Sequence, residues 1–541
     1  MWLPQNRVHR FVTRVYAHFC LPYETGREFA SRYRLHRIQI QIHTPAMACA
    51  ENVPTRFVLG IMIFWGALTA FVLRASLSLS IVTMVGKRPR GQNSTANGTS
   101  TTGCAVEPIF HNTSALVTNL TDLAEIELQD EAGEFDWSEQ LQGTILSSFF
   151  VGYLFFQLPG GRLAELIGGR LVYGFTVLIP SLLAALVPLL TRVHYGYLIA
   201  IRIGQGLFLG AMFPTASVLV TKWVPLHERA RFMSTFNMGG TLGLALVMPV
   251  CGLIIDLLDW PALYYITAAH GVIFSICWFA LVHDSPDKHP RITQFEKRHI
   301  ELGLVKGPVK KLPIPWVRVL TSLQFWGPFL SSFGSDWGFY TFLTLGPKYM
   351  ASILGVDIRQ NGILSALPFL CRYIFGIIIG MIFDLCLRRR WMALAHLRKL
   401  AVCFSHLMPA LALLAFPLAG CNTTLAVAII CTAMGCNGAI TSGHIQAYMD
   451  VAPNFAGTLG GLKNGLCSLA GLLSPVVIGA ILQQDASIVG WRISFALSAV
   501  IFASSCVLFL ATYTGRVQSW NDLSDQRDRE ASKPMRPIFK T

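Results

Sequence analysis

The chain has 541 residues, of which 53% are hydrophobic and 13% charged, and its formal net charge is +14. A soluble domain carries about 25% charged residues, so half that share leaves too little polar surface for a water-soluble body. The hydrophobic content excludes a disordered chain, and 13 cysteines in this length are too sparse for a disulfide scaffold.

A helical membrane span needs about 20 mostly apolar residues. Taken in chain order, such runs fall at 57–85, 141–161, 171–191, 197–221, 233–257, 263–283, 322–350, 361–385, 400–420, 423–447, 457–482 and 493–513. They predict an all-α membrane protein with twelve transmembrane helices. Very short turns join the runs that flank 192–196 and 420–423. Gly206, Gly210, Gly239 and Gly240 punctuate the runs and suit close approach of helices in a bilayer.

The polar segments predict the topology. Residues 1–53 hold seven Arg, no Lys and three acids, and are expected to form a basic, disordered cytoplasmic extension, with Met47 as an alternative start. Between the first two runs, residues 87–140 carry four N-glycosylation sequons at Asn93, Asn97, Asn112 and Asn119. Four sequons so close together predict a lumenal or extracellular loop. Residues 91–140 contain no Lys or Arg, although Lys87, Arg88 and Arg90 run against the pattern. The segment 284–321 is rich in Lys and Arg, as is the stretch from Arg388 to Lys399, and both read as cytoplasmic. The expected domains are therefore the extension 1–53, a first six-helix half 54–283, the linker 284–321, a second half 322–513 and a cytoplasmic tail 514–541. The positive balance reports topology. No nucleic-acid module accompanies it, and no nucleic-acid partner is expected.

The two sets of six runs share a motif. After the second run the chain reads Gly161-Arg162-Leu163-Ala164-Glu165, followed by Gly168 and Arg170. After the eighth it reads Gly380-Met381-Ile382-Phe383-Asp384, followed by Arg388, Arg389 and Arg390. Glycine allows close helix contact, and the acid can pair with a base or cap a helix N-terminus. The recurrence indicates two pseudosymmetric halves, the mark of a transporter that rocks about a central site.

On these residues the chain resembles the major facilitator superfamily. It is similar, more narrowly, to solute-carrier family 17, which includes sialin, vesicular glutamate transporters and sodium–phosphate cotransporters, with insect inorganic phosphate cotransporters closest in flavour. The stretches that carry the likeness are Phe135-Asp136-Trp137, Gly143 to Phe150, Gln157-Leu158-Pro159-Gly160-Gly161, Trp223-Val224-Pro225, Trp337-Gly338-Phe339-Tyr340-Thr341, Pro347-Lys348-Tyr349-Met350 and Asp450-Val451-Ala452-Pro453. The resemblance implies a secondary transporter of organic or inorganic anions and no enzymatic activity.

A charge placed at the bilayer centre costs at least about 2.5–3.5 kcal/mol, so each embedded one needs a reason. Arg74 lies well inside the first run, where its guanidinium fork would hold a carboxylate or phosphate bidentately. Asp336 in the seventh run would face the cavity or pair with Arg74. Lys463, beside Asn464 in the eleventh, is either a second anion-binding cation or a residue snorkelling at a helix end. Tyr340 and Tyr349 read as cavity wall or as core. His444 in the tenth run is a further titratable candidate, and Arg202 in the fourth is either gating or structural. Gly161, Glu165, Gly168, Arg170 and Asp384 are expected to brace the halves at the cytoplasmic side.

The chain also departs from the family pattern. That pattern places two acids in the fourth run, where this chain has Gln205 and Leu209. A histidine of the proton-coupled relatives is here Ser217, and the family's Asn-His pair is Ala447-Tyr448. Gln205, Leu209 and Ser217 supply no group that titrates, which points to sodium or the membrane potential as the driving force. A proton-coupled or uncoupled carrier and a non-transporting sensor that keeps the fold stay open as alternatives. The expected partners are a small anion and the lipid bilayer, with sodium a candidate coupling ion, no metal or other cofactor, and a monomeric protein. The membrane is the plasma membrane or that of a vesicle or lysosome. No phosphate-cradling loop ending in Gly-Lys-Ser/Thr occurs, so an ATP-driven pump is not expected.

Overall fold

The structure, a computed structural model, describes residues 54–85, 133–303 and 314–521. The four sequon asparagines and the extension 1–53 lie outside the described residues. Every one of the twelve apolar runs is helical. The first three are α1 (Thr55–Val85), α2 (Glu139–Ile167) and α3 (Gly169–Val193). The fourth is α4 (Tyr195–Gly210) followed, after a break at Ala211, by α5 (Met212–Trp223). The fifth and sixth run together as α6 (Leu226–Leu281). Two short helices, α7 (Gln294–Gly303) and α8 (Trp316–Leu320), precede α9 (Leu323–Ser352) and α10 (Ile358–Arg388). The ninth run comprises α11 (Leu394–Val402), a π turn at Cys403–Leu407, and α12 (Met408–Leu414). The tenth comprises α13 (Thr423–Asn437), a 3-10 turn at Gly438–Thr441, and α14 (His444–Val451). α15 (Ala456–Gln484) and α16 (Ile488–Thr512) complete the bundle.

Polar residues start these helices by satisfying free backbone N–H groups. Ser138 caps α2, His194 caps α4, Asp357 caps α10 and Asn422 caps α13. α1 is capped from a distance. The Glu296 carboxylate on α7 accepts from the amides of Thr55 and Arg56, each at 2.9 Å, where a helix N-terminus favours negative charge.

Among the described residues, nine helical stretches are long and apolar enough to cross a membrane, or ten when α2, bent by 51° at Pro159, counts as one. One of the nine, Gly239–Leu281, has 43 residues. At 1.5 Å per residue it is about twice as long as a 30 Å hydrocarbon layer, so it makes two crossings. The loop expected at 258–262 is instead a break at one residue. Asp259 has φ 70°, and its carboxylate accepts from the Trp260 amide at 2.6 Å. α9 falls short of the hydropathy threshold because Ser331, Ser332, Ser335 and Asp336 lie within it.

α1 and α3 pack on α6, and α2 and α3 pack on α4; α9 packs on α15 and α16, and α10 on α13. The two sets of six segments meet where α2 packs on α15, α6 on α10 and α1 on α9. Glycines let these backbones approach. A Cβ on Gly143 would stand 2.4 Å from the Pro475 carbonyl oxygen, and one on Gly252 would stand 3.1 Å from Gly362 Cα. Both contacts lie near the bundle end that carries the 86–132 connection. Lys348 of α9 bonds there to Glu139 and, at 2.6 Å, to Gln142 of α2. Toward the other end, a side chain at Gly460 or Gly461 would meet no atom within 4 Å. The segments are thus joined at the end where Val85 and Gly133 lie.

Candidate functional site

Arg74 sits two-thirds of the way along α1, and aromatic rings surround its guanidinium. The guanidinium carbon is 4.4 Å from the ring centroid of Phe150, 4.6 Å from that of Tyr340, 5.2 Å from Phe149 and 5.5 Å from Tyr153. These faces attract a cation without taking up its N–H donors. The Tyr340 hydroxyl is within hydrogen-bonding reach, yet Arg74 Nε and Nη2 are buried without a partner. Leaving such donors unsatisfied costs about 1–3 kcal/mol or more. A pocket of about 30 Å³ opens beside them between α1, α2, α4 and α5, with Leu209, Met212 and Phe213 opposite Arg74. That volume admits one or two waters.

The expected binding residues converge here. Asn464 of α15 hydrogen-bonds the Tyr153 hydroxyl of α2. Asp336 lies within electrostatic reach of Lys463, Arg372 and Arg74 but pairs directly with none of them. Lys463 is half-buried in mid-bundle beside Asp336 and His444, not extended to a helix end. Phe150 and Phe339 flank Tyr340 at centroid distances of 4.8 and 5.3 Å. Tyr349 is not cavity wall. It is 1% exposed and packs against Phe416, Trp491 and Phe495, because it points away from the α1 side into the α12–α16 core.

Arg202 proves to be a brace. It is 2% exposed, and its Nη1 donates to the Leu73 carbonyl and to Gln205 Oε1, both at 3.0 Å. Its Nη2 donates to the Arg74 carbonyl at 3.2 Å, and Gln205 Nε2 donates in turn to the Pro180 carbonyl at 3.2 Å. Gln205 is thus a structural amide that ties α4 to α3 and to Arg202. Ser217 donates to its own helix, to the Phe213 carbonyl. Tyr448 is buried and donates to the Phe325 carbonyl.

The contacts seen for the motif residues lie within the first six segments. Arg162 pairs with Glu165 at 2.7 Å. The Arg170 amide donates to Asp284, its guanidinium to the Phe279 carbonyl, and its carbonyl accepts from Trp278 Nε1. Gly168 has φ 108°, and a Cβ there would press on the Asp284 carboxylate at 2.8 Å, so only glycine fits. Gly161 approaches Pro214 of α5. Asp384 is exposed, and among the described residues it makes no ion pair.

Two features escaped the sequence reading. Arg372 lies in α10, 9% exposed, with its guanidinium carbon 4.3 Å from the Phe339 ring centroid and Nη1 unpartnered. A charge in the middle of the 361–385 run was the signal. His444 is also not alone. Its Nδ1 lies 3.3 Å from Ser331 Oγ, which lies 3.2 Å from His406 Nε2, and the two imidazoles meet edge to face at 5.4 Å.

The sequence profile of the Major Facilitator Superfamily matches residues 113–475. Human (Homo sapiens) sialin is 31% identical over 481 residues, 88% of this chain and 93% of sialin. The "Putative inorganic phosphate cotransporter" of Drosophila melanogaster is 32% identical over 484 residues, 88% of each chain. Human vesicular glutamate transporter 2 is 30% identical over 478 residues, 87% of this chain and 76% of its own. Among solved structures, a bacterial homologue of the human lysosomal transporter Spinster aligns with a TM-score of 0.60 at 14% identity, covering 86% of this chain and 100% of its own. The D-xylose–proton symporter aligns at 0.58 and 13% identity, covering 85% and 99%. These likenesses, over nearly the whole helical bundle, establish that the chain is a multi-pass membrane transporter, not an enzyme, that belongs to the major facilitator superfamily and within it to the sialin-like solute-carrier family 17.

Proposed function

We propose that the protein is a secondary transporter that carries a small organic or inorganic anion by alternating access. Arg74 carries this reading: a buried guanidinium with two unpartnered N–H donors, ringed by aromatic faces between two sets of helices. A guanidinium fork binds a carboxylate or a phosphate through two parallel bonds. The names of the relatives, glutamate and inorganic phosphate among them, are of such anions.

The end opposite the joined one is taken as cytoplasmic. The described parts of the basic segments, 284–303, 314–321 and 388–399, belong to it, and the disulfide at Cys421, in the turn at the joined end, suits an oxidising compartment. On this assignment the close packing at the joined end supports an inward-facing reading.

Gln205, Leu209 and Ser217 cannot carry a proton, which supports sodium or the membrane potential as the driving force. A second reading rests on Asp336, a half-buried carboxylate within reach of three cations, as the group a proton-coupled cycle would load. Uptake of radiolabelled phosphate and glutamate into proteoliposomes separates them, with pH, sodium and voltage gradients imposed one at a time. Stimulation by sodium or voltage with no response to pH supports the first reading. Stimulation by inward acidification that Asp336→Asn abolishes supports the second. Absence of anion flux under every gradient overturns transport.

A further inference from the structure

The two unpartnered atoms of Arg74, Nε and Nη2, form one edge of the guanidinium, so their N–H groups point the same way as a ready-made fork. The pocket beside that guanidinium decides what else a ligand of the fork can carry. It is bounded by Ala67, Ala70 and Phe71 of α1 and by Leu209, Met212 and Phe213 of α4 and α5. None of these six side chains carries a charge, an oxygen or an N–H group. Tyr153 also lines the pocket, but Asn464 engages its hydroxyl. Asp336, the carboxylate within electrostatic reach of Arg74, is not part of the wall.

Leu209 is the telling residue. It is 2% exposed on α4, about one turn beyond Gln205. Gln205 bonds Arg202 and the Pro180 carbonyl and does not line the pocket, so the residue that α4 sets opposite Arg74 is a leucine. The pocket is therefore a cation at the edge of an apolar space. A hydroxyl or ammonium placed against that wall would leave water and gain no partner. A methylene placed there gains by leaving water, about fourfold in affinity for each carbon. The space is also short: about 30 Å³, enough for one or two waters, takes about two methylene-sized groups.

We infer that this pocket is a subsite for a short alkyl tail, and that the ligand class it selects is an apolar-tailed monocarboxylate. The inference rests on the anion-transport reading and narrows it to anions whose chain bears no hydroxyl and no ammonium. The carboxylate accepts from Arg74 Nε and Nη2, and the tail lies against Leu209, Met212 and Phe213.

The test reads binding by the full chain in detergent, as the melting-temperature shift that each anion gives at fixed ionic strength. Short fatty acids cross bare lipid unaided, which makes their uptake a poor readout. The series is acetate, propionate, butyrate, valerate and caproate, with 3-hydroxypropionate and β-alanine as the hydroxyl and ammonium isosteres of butyrate. Kd is expected to fall about fourfold per carbon as far as propionate or butyrate, and no further. Butyrate should bind about tenfold or more tighter than either isostere. Ala70→Val, which narrows the pocket, should move the optimum about one carbon shorter. Leu209→Asn should weaken butyrate about tenfold and erase its advantage over 3-hydroxypropionate. If Leu209→Asn does not fold, the wild-type series and Ala70→Val decide the matter. The subsite is overturned if chain length has no effect, if either isostere matches butyrate, or if affinity climbs unbroken through caproate, the mark of partition into the micelle. Glutamate or phosphate flux in proteoliposomes would uphold anion transport through any of those results. Loss of all anion flux would sink the transport reading, whatever the binding series shows.

Discussion

Arg202 donates through Nη2 to the backbone carbonyl of Arg74, so one buried arginine fixes the peptide from which the other projects. The pair divides the labour. Arg202 spends Nη1 and Nη2 on Leu73, Arg74 and Gln205 and leaves only Nε without a partner, whereas Arg74 leaves both Nε and Nη2 unpartnered. Arg202→Gln should therefore cost stability, with each lost charge-assisted bond worth about 1.5–3 kcal/mol, and should also raise KM for every anion by displacing Arg74. Arg74→Lys should leave the melting temperature near wild type while reducing kcat/KM about 10–100-fold, because an ammonium cannot reproduce the fork. Thermal melting alongside uptake checks both. Equal destabilisation by the two variants would contradict the division.

The ion pair of Lys348 with Glu139, seconded by Gln142, holds the joined end of the bundle. Side-chain exposures of 12% and 26% place it between a surface and a buried pair. A double-mutant cycle with Lys348→Gln and Glu139→Gln should return a coupling energy of about 0.5–3 kcal/mol in thermal stability. Strictly additive effects would show that the pair holds nothing.

Close backbone contact does the rest of the sealing at that end. Gly143→Val places a branched side chain where even a Cβ would sit 2.4 Å from the Pro475 carbonyl, so α2 and α15 cannot meet. The variant is expected to be inserted in the membrane yet to lose transport about tenfold or more, for want of an energy barrier that the closed state can cross. Gly461→Ala, where no atom lies within 4 Å, should transport normally in the same uptake assay. Normal flux through Gly143→Val would refute the closure.

The segment after α6 is built to be neutral. His283 and His289 meet edge to face at 4.8 Å, and His289 meets Trp223 edge to face at 5.7 Å, while Trp223 Nε1 donates to the His283 carbonyl at 3.0 Å. Burial lowers both imidazoles below the ordinary 6.5, and their mutual repulsion adds to this at His283. A lowered folded value means that the neutral form is the one that folds. Stability is complete above pH 6.5, and it declines as pH falls from there toward the lower folded values. The melting temperature should therefore be flat from pH 7 to 8 and fall between pH 6.5 and 5. His283→Asn with His289→Asn should flatten the acid limb; an unchanged limb would assign it to other groups.

The all-helical membrane fold could be read from hydropathy because lipid leaves an apolar helix no other way to satisfy its backbone. What hydropathy hides is how the helices break. Ala211, the π turn at Cys403–Leu407 and the turn at Gly438–Thr441 lie inside runs that look uninterrupted, since packing against neighbours and not composition bends them. Charge inside a run was the best pointer to the site, and it located Arg74, Asp336 and Lys463. The same rule applied evenly would have found Arg372. Roles were harder to read than places. Arg202 and Arg74 look alike in sequence, and only the carbonyls around Arg202 show which of the two is spent. Tyr349 and Tyr340 differ likewise, by the helix face on which each falls.

Asp259 has a consequence for how the protein is made. A break at one residue leaves almost no loop between the fifth and sixth apolar segments, so the two are expected to enter the bilayer together, as a hairpin whose two arms each span it. The carboxylate that bonds back to the Trp260 amide is what lets an L-residue hold that corner. Its replacement by a β-branched side chain should therefore show first in biogenesis, as chains retained and degraded during synthesis, and not in the kinetics of the molecules that survive.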